Sequence, residues 1–454
     1  MKLDVLVAEI GSTTTVVNGF WLGEEACFAG SGQAPTSVGQ GDVNIGLHGA
    51  IDDLKKSLGI DELEYDEMMA TSSAAGGLKM TVHGLVYDMT VRAAKEAALG
   101  AGANIHMITA GRLRRTDLVK IKDSKPNIML LAGGVDYGER DTAIYNAEKI
   151  AELNLGIPII YAGNIENQDE MRLIFKESNC QLYLVDNVYP RIDQLNVEPT
   201  RKVIQEVFEE HIIHAPGMEK VREMVSGNII PTPAGVMEAT IVLSEFLGDV
   251  LTVDVGGATT DIHSVTEGSE EMNRIMIAPE PRAKRTVEGD LGVYVNARNV
   301  IELATEDKLA KHLEVSDDQL KTLIESHKPI PVSEMEKLFV EKLSTVACHH
   351  AIDRHAGTII DMYSTAGRKK AASGKDLTAV QYIIGTGGAL TRLPNRIEIL
   401  KSITTDLSQS KLLPNKDTKV LIDHHYIMAS IGVLSKVHLE DSIEFLKQSL
   451  NISQ

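Results

Sequence analysis

Two turns of the same composition, far apart in the chain, restrict its fold more than any other feature. The run Leu251-Thr252-Val253-Asp254-Val255 ends in Gly256-Gly257-Ala258-Thr259-Thr260-Asp261, and Val5-Leu6-Val7-Ala8-Glu9-Ile10 ends in Gly11-Ser12-Thr13-Thr14-Thr15. A third apolar run, Ile383-Ile384, leads into Gly385-Thr386-Gly387-Gly388-Ala389. Glycine allows a positive φ and leaves no Cβ, so backbone N–H groups can close around a phosphate, and the hydroxyls add donors. A carboxylate at the end of each of the first two strands, Glu9 and Asp254, suits a hydrated Mg²⁺, which prefers oxygen ligands and keeps several waters. Each turn taken singly is equally well an ordinary hairpin; the ordered set of three points to a nucleotide.

Other nucleotide signatures are excluded by inspection. No Gly-x-x-x-x-Gly-Lys-Ser/Thr occurs, which rules out a P-loop. Leu390 stands where a dinucleotide fingerprint starting at Gly385 needs glycine or alanine, and Ile105 stands there for the run starting at Gly100. With 454 residues the chain exceeds what one hydrophobic core usually supports, so two or more domains are expected. The 64 acidic against 45 basic side chains, a net charge of −19, argue against a nucleic-acid partner. The main exception is the run Arg112-Leu113-Arg114-Arg115, either a solvated helix face or a seat for an acidic partner. Cys27, Cys180 and Cys348 are scattered and form no Cys-x-x-Cys, so neither a disulfide framework nor a zinc site is suggested and a reducing cytoplasm fits. No leader pattern and no charge-free apolar stretch of ~18 residues is present, so a soluble, unprocessed protein without a membrane span is expected.

Residues 3 to 10, 15 to 22 and 25 to 31 read as three short strands, followed by an amphipathic helix over 42 to 57 and a strand near 66 to 71. The pattern repeats later: strands near 249 to 255, 259 to 266 and 273 to 279, helices between about 288 and 372, and a strand at 380 to 385. The stretch between Gly11 and Asp254 is longer than one such half needs. Residues 85 to 190 alternate helix and strand, which implies parallel strands joined by crossover helices. The predicted fold is therefore α/β: two ribonuclease-H-like halves with an inserted doubly wound unit. Its boundaries are 1–84 for the first part of the N-terminal half, 85–190 for the insertion, 191–248 for the return with a crossing helix, and 249–454 for the C-terminal half. Within the insertion, Leu130-Leu131-Ala132-Gly133-Gly134-Val135-Asp136 is a strand end where a ligand or partner could sit, or simply a tight turn.

Two hydroxyl-rich hairpins, one per half, followed by a strand and a Gly-Thr-Gly-Gly turn, resemble the actin, sugar kinase and DnaK-type chaperone ATPase superfamily. The resemblance implies ATP with Mg²⁺ as cofactors. Gly11, Ser12, Thr13 and Thr14 would meet the β- and γ-phosphates, Asp254 with Gly256, Gly257, Ala258, Thr259 and Thr260 the phosphates and metal, and Gly385, Thr386, Gly387 and Gly388 the adenosine. It also implies two helices crossing between the halves, for which Pro233–Ala239 and Ala429–Val433 offer small residues. Many superfamily members carry aspartate where this chain has Glu9, one methylene longer, so Asp254 is the better metal candidate. Hydrolysis by in-line attack of water depends mostly on positioning and charge stabilisation. Asp261 could orient the hairpin or be a turn residue, Glu238 on the crossing segment could align the water or face solvent, and Glu288 could approach the adenosine or cap a helix starting near Leu291. The run Cys348-His349-His350 to His355 lacks the spacing of a zinc site and reads as a solvated or interface helix face.

Along most of its length the chain resembles the GlmL family, called MutL in glutamate fermentation operons and unrelated to the mismatch-repair protein of that name. Besides the two hairpins, the residues carrying this are Ala70-Thr71-Ser72-Ser73-Ala74-Ala75-Gly76-Gly77-Leu78, the Leu130–Asp136 segment and Arg285-Thr286-Val287-Glu288-Gly289-Asp290-Leu291-Gly292. The resemblance implies a chaperone-like ATPase, with adenosylcobalamin-dependent mutase subunits as partners, that reactivates a mutase such as glutamate mutase. A helper of an aminomutase acting on D-ornithine or lysine, or a small-molecule kinase on the same scaffold, is the alternative. An ATP-driven electron donor would need cysteines placed to bridge an iron–sulfur cluster between subunits, which three scattered cysteines do not suggest.

Overall fold

The computed structural model describes all residues except 12, 38–40, 74–78, 102, 213–216, 365–366, 406–409 and 453–454. The apolar run at the start forms the strand Lys2–Ile10, buried without interruption from Val5 onward. Cover on both faces is why the run does not alternate polar and apolar residues. It pairs antiparallel with Thr14–Trp21, which pairs antiparallel with Cys27–Pro35. On its other side it runs parallel to Glu64–Ser72, beyond which lies the two-residue strand Ile230–Pro231. The strand Val250–Val255 repeats the plan: antiparallel to Thr260–Val265 and then Ala283–Glu288, and parallel on its other side to Tyr382–Thr386 and then Lys419–Ile422. Both sheets thus have the same strand order, and the chain is built from two ribonuclease-H-like halves of the actin type.

Between the sheets the helices Thr232–Leu247 and Met428–Leu434 cross. A Cβ on Gly432 would lie 1.8 Å from the carbonyl oxygen of Gly235, and one on Gly235 would lie 2.7 Å from that of Ala429. Only glycine permits so close a backbone approach. Val5, Val7, Met237, Leu243, Val250, Ile384 and Ile431 share one buried cluster here, so the two halves are joined through a continuous core.

The inserted unit is a five-stranded parallel sheet in the spatial order Asn104–Ala110, Lys79–Gly84, Ile128–Leu131, Ile159–Tyr161, Leu182–Leu184. Its first strand, Lys79–Gly84, begins before residue 85, where the sequence placed the boundary. The strand is hidden by two polar residues, Thr81 and His83, that satisfy one another: the His83 ring nitrogens lie 2.9 Å from Thr81 Oγ1 and 2.8 Å from Thr109 Oγ1. Burial lowers the His83 pKa to about 4, so the ring is neutral.

Two further elements differ from expectation. The strand predicted at 273 to 279 does not form: the helical turn Glu270–Asn273, started by Ser269, whose side chain accepts from Met272 N, reaches its first residue, and beyond it Met276 makes only an isolated bridge to Ala372. The third strand of that sheet is Ala283–Glu288, in which Lys284 and Arg285 are buried. Residues 358–373, expected within the helical region, form an antiparallel hairpin of Thr358–Ser364 and Gly367–Ser373 after the helix Glu334–His355. Among the described residues no helix is long and apolar enough to cross a membrane.

Candidate nucleotide cleft

The two hairpins have the same internal geometry. Gly11 N donates to Thr14 O at 3.0 Å, and Gly256 N donates to Thr259 O at 2.9 Å. Each turn is braced from behind. Thr36 Oγ1 donates to Gly11 O at 2.8 Å, while the carbonyls of Gly256, Gly257 and Ala258 accept from Val293 N, Tyr294 N and the Asn296 amide. The carbonyls of the second hairpin are thus held behind, while among the described residues the N–H groups of Gly257 and Ala258 have no partner. The hairpins approach each other across the halves, and a Cβ on Gly257 would lie 3.6 Å from Thr13 Oγ1.

Gly11, Thr13, Thr14, Asp254, Gly256 to Thr259 and Gly388 line one cleft of about 450 Å³, within the ~300–1,000 Å³ typical of small-molecule sites. Ser12 lies outside the described residues, as do Ala74 to Leu78. Thr260 sits just behind the cleft, its hydroxyl donating to Leu291 O at 2.7 Å. Of the late glycine turn, Gly388 and Ala389 reach the lining, and a Cβ on Gly388 would meet nothing within 4 Å. Gly385 packs against Leu400 and Ile422, and Thr386 donates to Asp423 Oδ2 at 2.8 Å. Gly387 has φ 86°, and a Cβ on it would lie 2.3 Å from Asp254 Oδ1. The turn therefore closes directly on the acid.

Asp254 stands at the cleft wall, and among the described residues its carboxylate has no hydrogen-bond or ion-pair partner. Its pKa is raised to about 7, first by desolvation and then by Asp261 and Glu9. An acid so placed fits a hydrated cation. Glu9 occupies the equivalent place in the other hairpin but does not line the cleft. Its Oε1 accepts from Ser430 N at 2.9 Å, Ser430 Oγ at 2.5 Å and Asn18 Nδ2 at 3.3 Å, tying the strand to the crossing helix. Burial raises its pKa to about 7 as well. The extra methylene carries this carboxyl to the helix instead of the metal position expected for it.

Asp261 lines the cleft and pairs with Arg285 at 3.0 Å in a fully buried ion pair. Asp261 Oδ1 has no partner among the described residues. Arg285, which sequence reasoning did not single out for a site, also donates to Leu99 O at 3.0 Å, joining the cleft to a helix of the inserted unit, Arg92–Gly100. Asp423 was missed too. It accepts from Thr386, from Ile427 N and Met428 N at the start of the crossing helix, and from Ser449.

Two expected site residues lie elsewhere. Glu238 is absent from the cleft wall and pairs with Lys436 at 2.6 Å; the residues of its helix that reach the cleft are Thr232 and Pro233, more than a turn earlier. Glu288 is bound by Arg354 at 2.6 Å, and its neighbours Val287 and Gly289 line the cleft while Glu288 itself does not. In the cysteine–histidine helix, His355 sits between the hydroxyls of Ser264 and Thr286, at 2.9 and 2.7 Å. Burial raises the Cys348 thiol to about 12. Among the described residues no group of three His, Cys, Asp or Glu is placed to hold a metal.

The family model for MutL protein matches residues 5–450. The chain is 36% identical over 459 residues to "Protein MutL" of Clostridium tetanomorphum, covering 98% of both chains. Among solved structures it is similar to diol dehydratase-reactivating factor in nucleotide-free form, at 12% identity over 97% of this chain and all of that one, with a TM-score of 0.39. It is similar also to nucleotide-free acetone carboxylase, at 13% identity over 95% of this chain and 70% of that one, with a TM-score of 0.39. Likenesses this distant add nothing to what the paired sheets themselves show.

Proposed function

The chain belongs to the MutL protein family, and from that premise we propose that it is an ATP-dependent reactivating protein for an adenosylcobalamin-dependent carbon-skeleton mutase such as glutamate mutase. In the cytoplasm it promotes exchange of a lost or damaged cofactor. One observation carries the ATP-dependent part of this reading: two hairpins from different halves face a single cleft with Asp254, an acid that accepts no hydrogen bond among the described residues, at its wall.

In this reading Thr13, Thr14 and the N–H groups of Gly257 and Ala258 bind the triphosphate. Asp254 holds the hydrated Mg²⁺, and the unpartnered Oδ1 of Asp261 orients the same water shell. Mg²⁺, when bound, neutralises phosphate charge. The turn at Gly388, with Arg392 and Leu393 behind it, takes the adenosine side of the cleft. The insertion is reckoned from Lys79. Because Thr13 and Gly257 face each other from different halves, a nucleotide between them favours the closed arrangement. The glycine contact of the crossing helices is where the halves shear. Such a cycle acts on the mutase only if the mutase binds the ATP and ADP states with different affinity.

The test is to incubate the protein, Mg-ATP and fresh adenosylcobalamin with glutamate mutase inactivated by a cofactor analogue. Return of turnover, with slow ATP hydrolysis that needs no small acceptor, is expected. Hydrolysis strictly dependent on a small acid or sugar would replace this reading with a kinase.

A further inference from the structure

The five strands of the inserted sheet are parallel, so the loops that follow them all emerge along one rim, roughly 19 Å wide at about 4.8 Å per strand spacing. That rim carries large apolar side chains in the open. Val86 and Tyr87 follow the strand Lys79–Gly84, Tyr137 follows Ile128–Leu131, Ile165 follows Ile159–Tyr161, and Ile192 follows Leu182–Leu184. Their exposure runs from 43% at Val86 to 76% at Tyr137. At the end of the row, after Asn104–Ala110, stand Arg112, Arg114 and Arg115, all exposed. Among the described residues none of the three has an ion-pair partner, and the Arg112 guanidinium lies 5.1 Å from the centre of the Tyr145 ring.

The loops are held rigidly from beneath. Buried Asn187 donates to Gly134 O and Asp136 Oδ1, Ile165 N donates to Asp136 Oδ1, and Tyr137 N donates to Asn164 Oδ1 at 3.1 Å. Tyr137 itself has φ 62°, a left-handed conformation that costs a tyrosine energy and yet presents its ring to solvent. An exposed apolar row beside cations that have no ion-pair partner among the described residues is the make-up of a protein interface with a charged margin.

We propose that this rim is the docking surface for the partner enzyme, and that it takes an apolar face bordered by carboxylates. The inference rests on the reactivase reading and names where the mutase sits. Charge selects the occupant: on a molecule of net charge −19, a free arginine cluster attracts an acidic protein margin. The opposite end of the same sheet meets the nucleotide, because Ala103 and Asn104, at the start of the strand that ends at the arginines, line the cleft. The strand Asn104–Ala110 spans roughly 20 Å between the two sites. Through the Arg285 bond to Leu99 O, the insertion is also tied to the acid beside the phosphate hairpin. Partner and nucleotide thus bear on opposite ends of one stiff sheet.

The experiment places a photo-crosslinking benzoylphenylalanine at Tyr137 or at Tyr87 in the full chain and irradiates it with purified glutamate mutase. Crosslinks to the mutase are expected. Charge reversal by R112E, R114E and R115E together, or a rise in salt, should weaken binding by about tenfold or more. Mg-ATP binding and basal hydrolysis, measured on the same samples, should be unchanged by the reversal. Intact hydrolysis with no crosslink to the mutase, or with binding indifferent to the reversal, overturns the docking surface and leaves the nucleotide reading standing. Failure of the wild-type chain to bind Mg-ATP overturns the nucleotide reading instead, whatever the crosslinks show. Crosslinks only to a second copy of the chain, or retention of a DNA duplex that the reversal abolishes, would also overturn the assignment.

Discussion

Replacing Asp254 with asparagine should stabilise the protein without nucleotide and destabilise it, relative to wild type, with Mg-ATP. The folded-state pKa of Asp254 is raised from 3.8 to about 7, a rise of roughly three units at about 1.4 kcal/mol each. The carboxyl opens on cleft water, so we take half of the resulting ~4 kcal/mol, about 2 kcal/mol, as surviving solvent screening. A raised acid pKa means that the folded state binds the extra proton. The contribution of the group is therefore fully present below about pH 4 and is lost as pH rises through 7. Asparagine keeps the neutral shape at every pH. Urea unfolding at pH 8 in EDTA should show D254N more stable by about 2 kcal/mol, with the difference vanishing near pH 4. Saturating Mg-ATP at about a hundred times its Kd should add ~2.7 kcal/mol to the wild type and little to the variant, reversing the order. A variant less stable than wild type at pH 8 without nucleotide, or equal stabilisation of both by Mg-ATP, would refute the placement of the metal at Asp254.

Gly387→Ala should abolish Mg-ATP binding by calorimetry, because its Cβ would lie 2.3 Å from Asp254 Oδ1 on a backbone of φ 86°; Gly388→Ala, with open space, should keep the fold's urea midpoint. Arg285→Met should cost about 3–5 kcal/mol by leaving Asp261 charged and unpaired, and D261N in the same chain should recover much of it. Glu238→Gln should leave steady-state ATP hydrolysis unchanged and alter stability by less than about 1 kcal/mol, since it loses only the partly exposed pair with Lys436; a fall in hydrolysis of tenfold or more would return Glu238 to the chemistry.

The parts of this architecture that were readable in advance are those whose cause is local. An apolar run and the glycine that ends it lie next to each other in sequence, so the central strands of both sheets and their hairpins were placed to within a residue or two. What escaped has its cause far away in the chain. Ala283–Glu288 does not look like a buried strand, because the groups that make Lys284 and Arg285 tolerable inside are Thr266 O, Leu99 O and Asp261. Asp423 is one acid among many until Thr386, Met428 and Ser449 are gathered around it. Glu238 failed on helix phase and reach: its helix meets the cleft only by its first turn.

The two strand-end acids show most clearly what a motif can hide. Glu9 and Asp254 each precede their hairpin glycine by two residues, and the hairpins close with the same hydrogen bond. Symmetry would give both the same task, yet the crossing helix offers Ser430 N and Oγ to Glu9, whereas among the described residues no hydrogen bond reaches the Asp254 carboxylate. A carboxylate already accepting three bonds gains less from a cation than one that is half-buried and unpaired, so the proposed reading assigns the metal to the second hairpin. In that reading the first hairpin's acid acts mechanically, fastening its strand to the crossing helix. Glu9→Ala, which removes the acceptor of Ser430 and Asn18, should accordingly loosen that fastening, lowering the urea midpoint, while Mg²⁺ dependence of nucleotide binding stays as in wild type. Loss of the Mg²⁺ dependence in Glu9→Ala would show that both acids hold the cation after all.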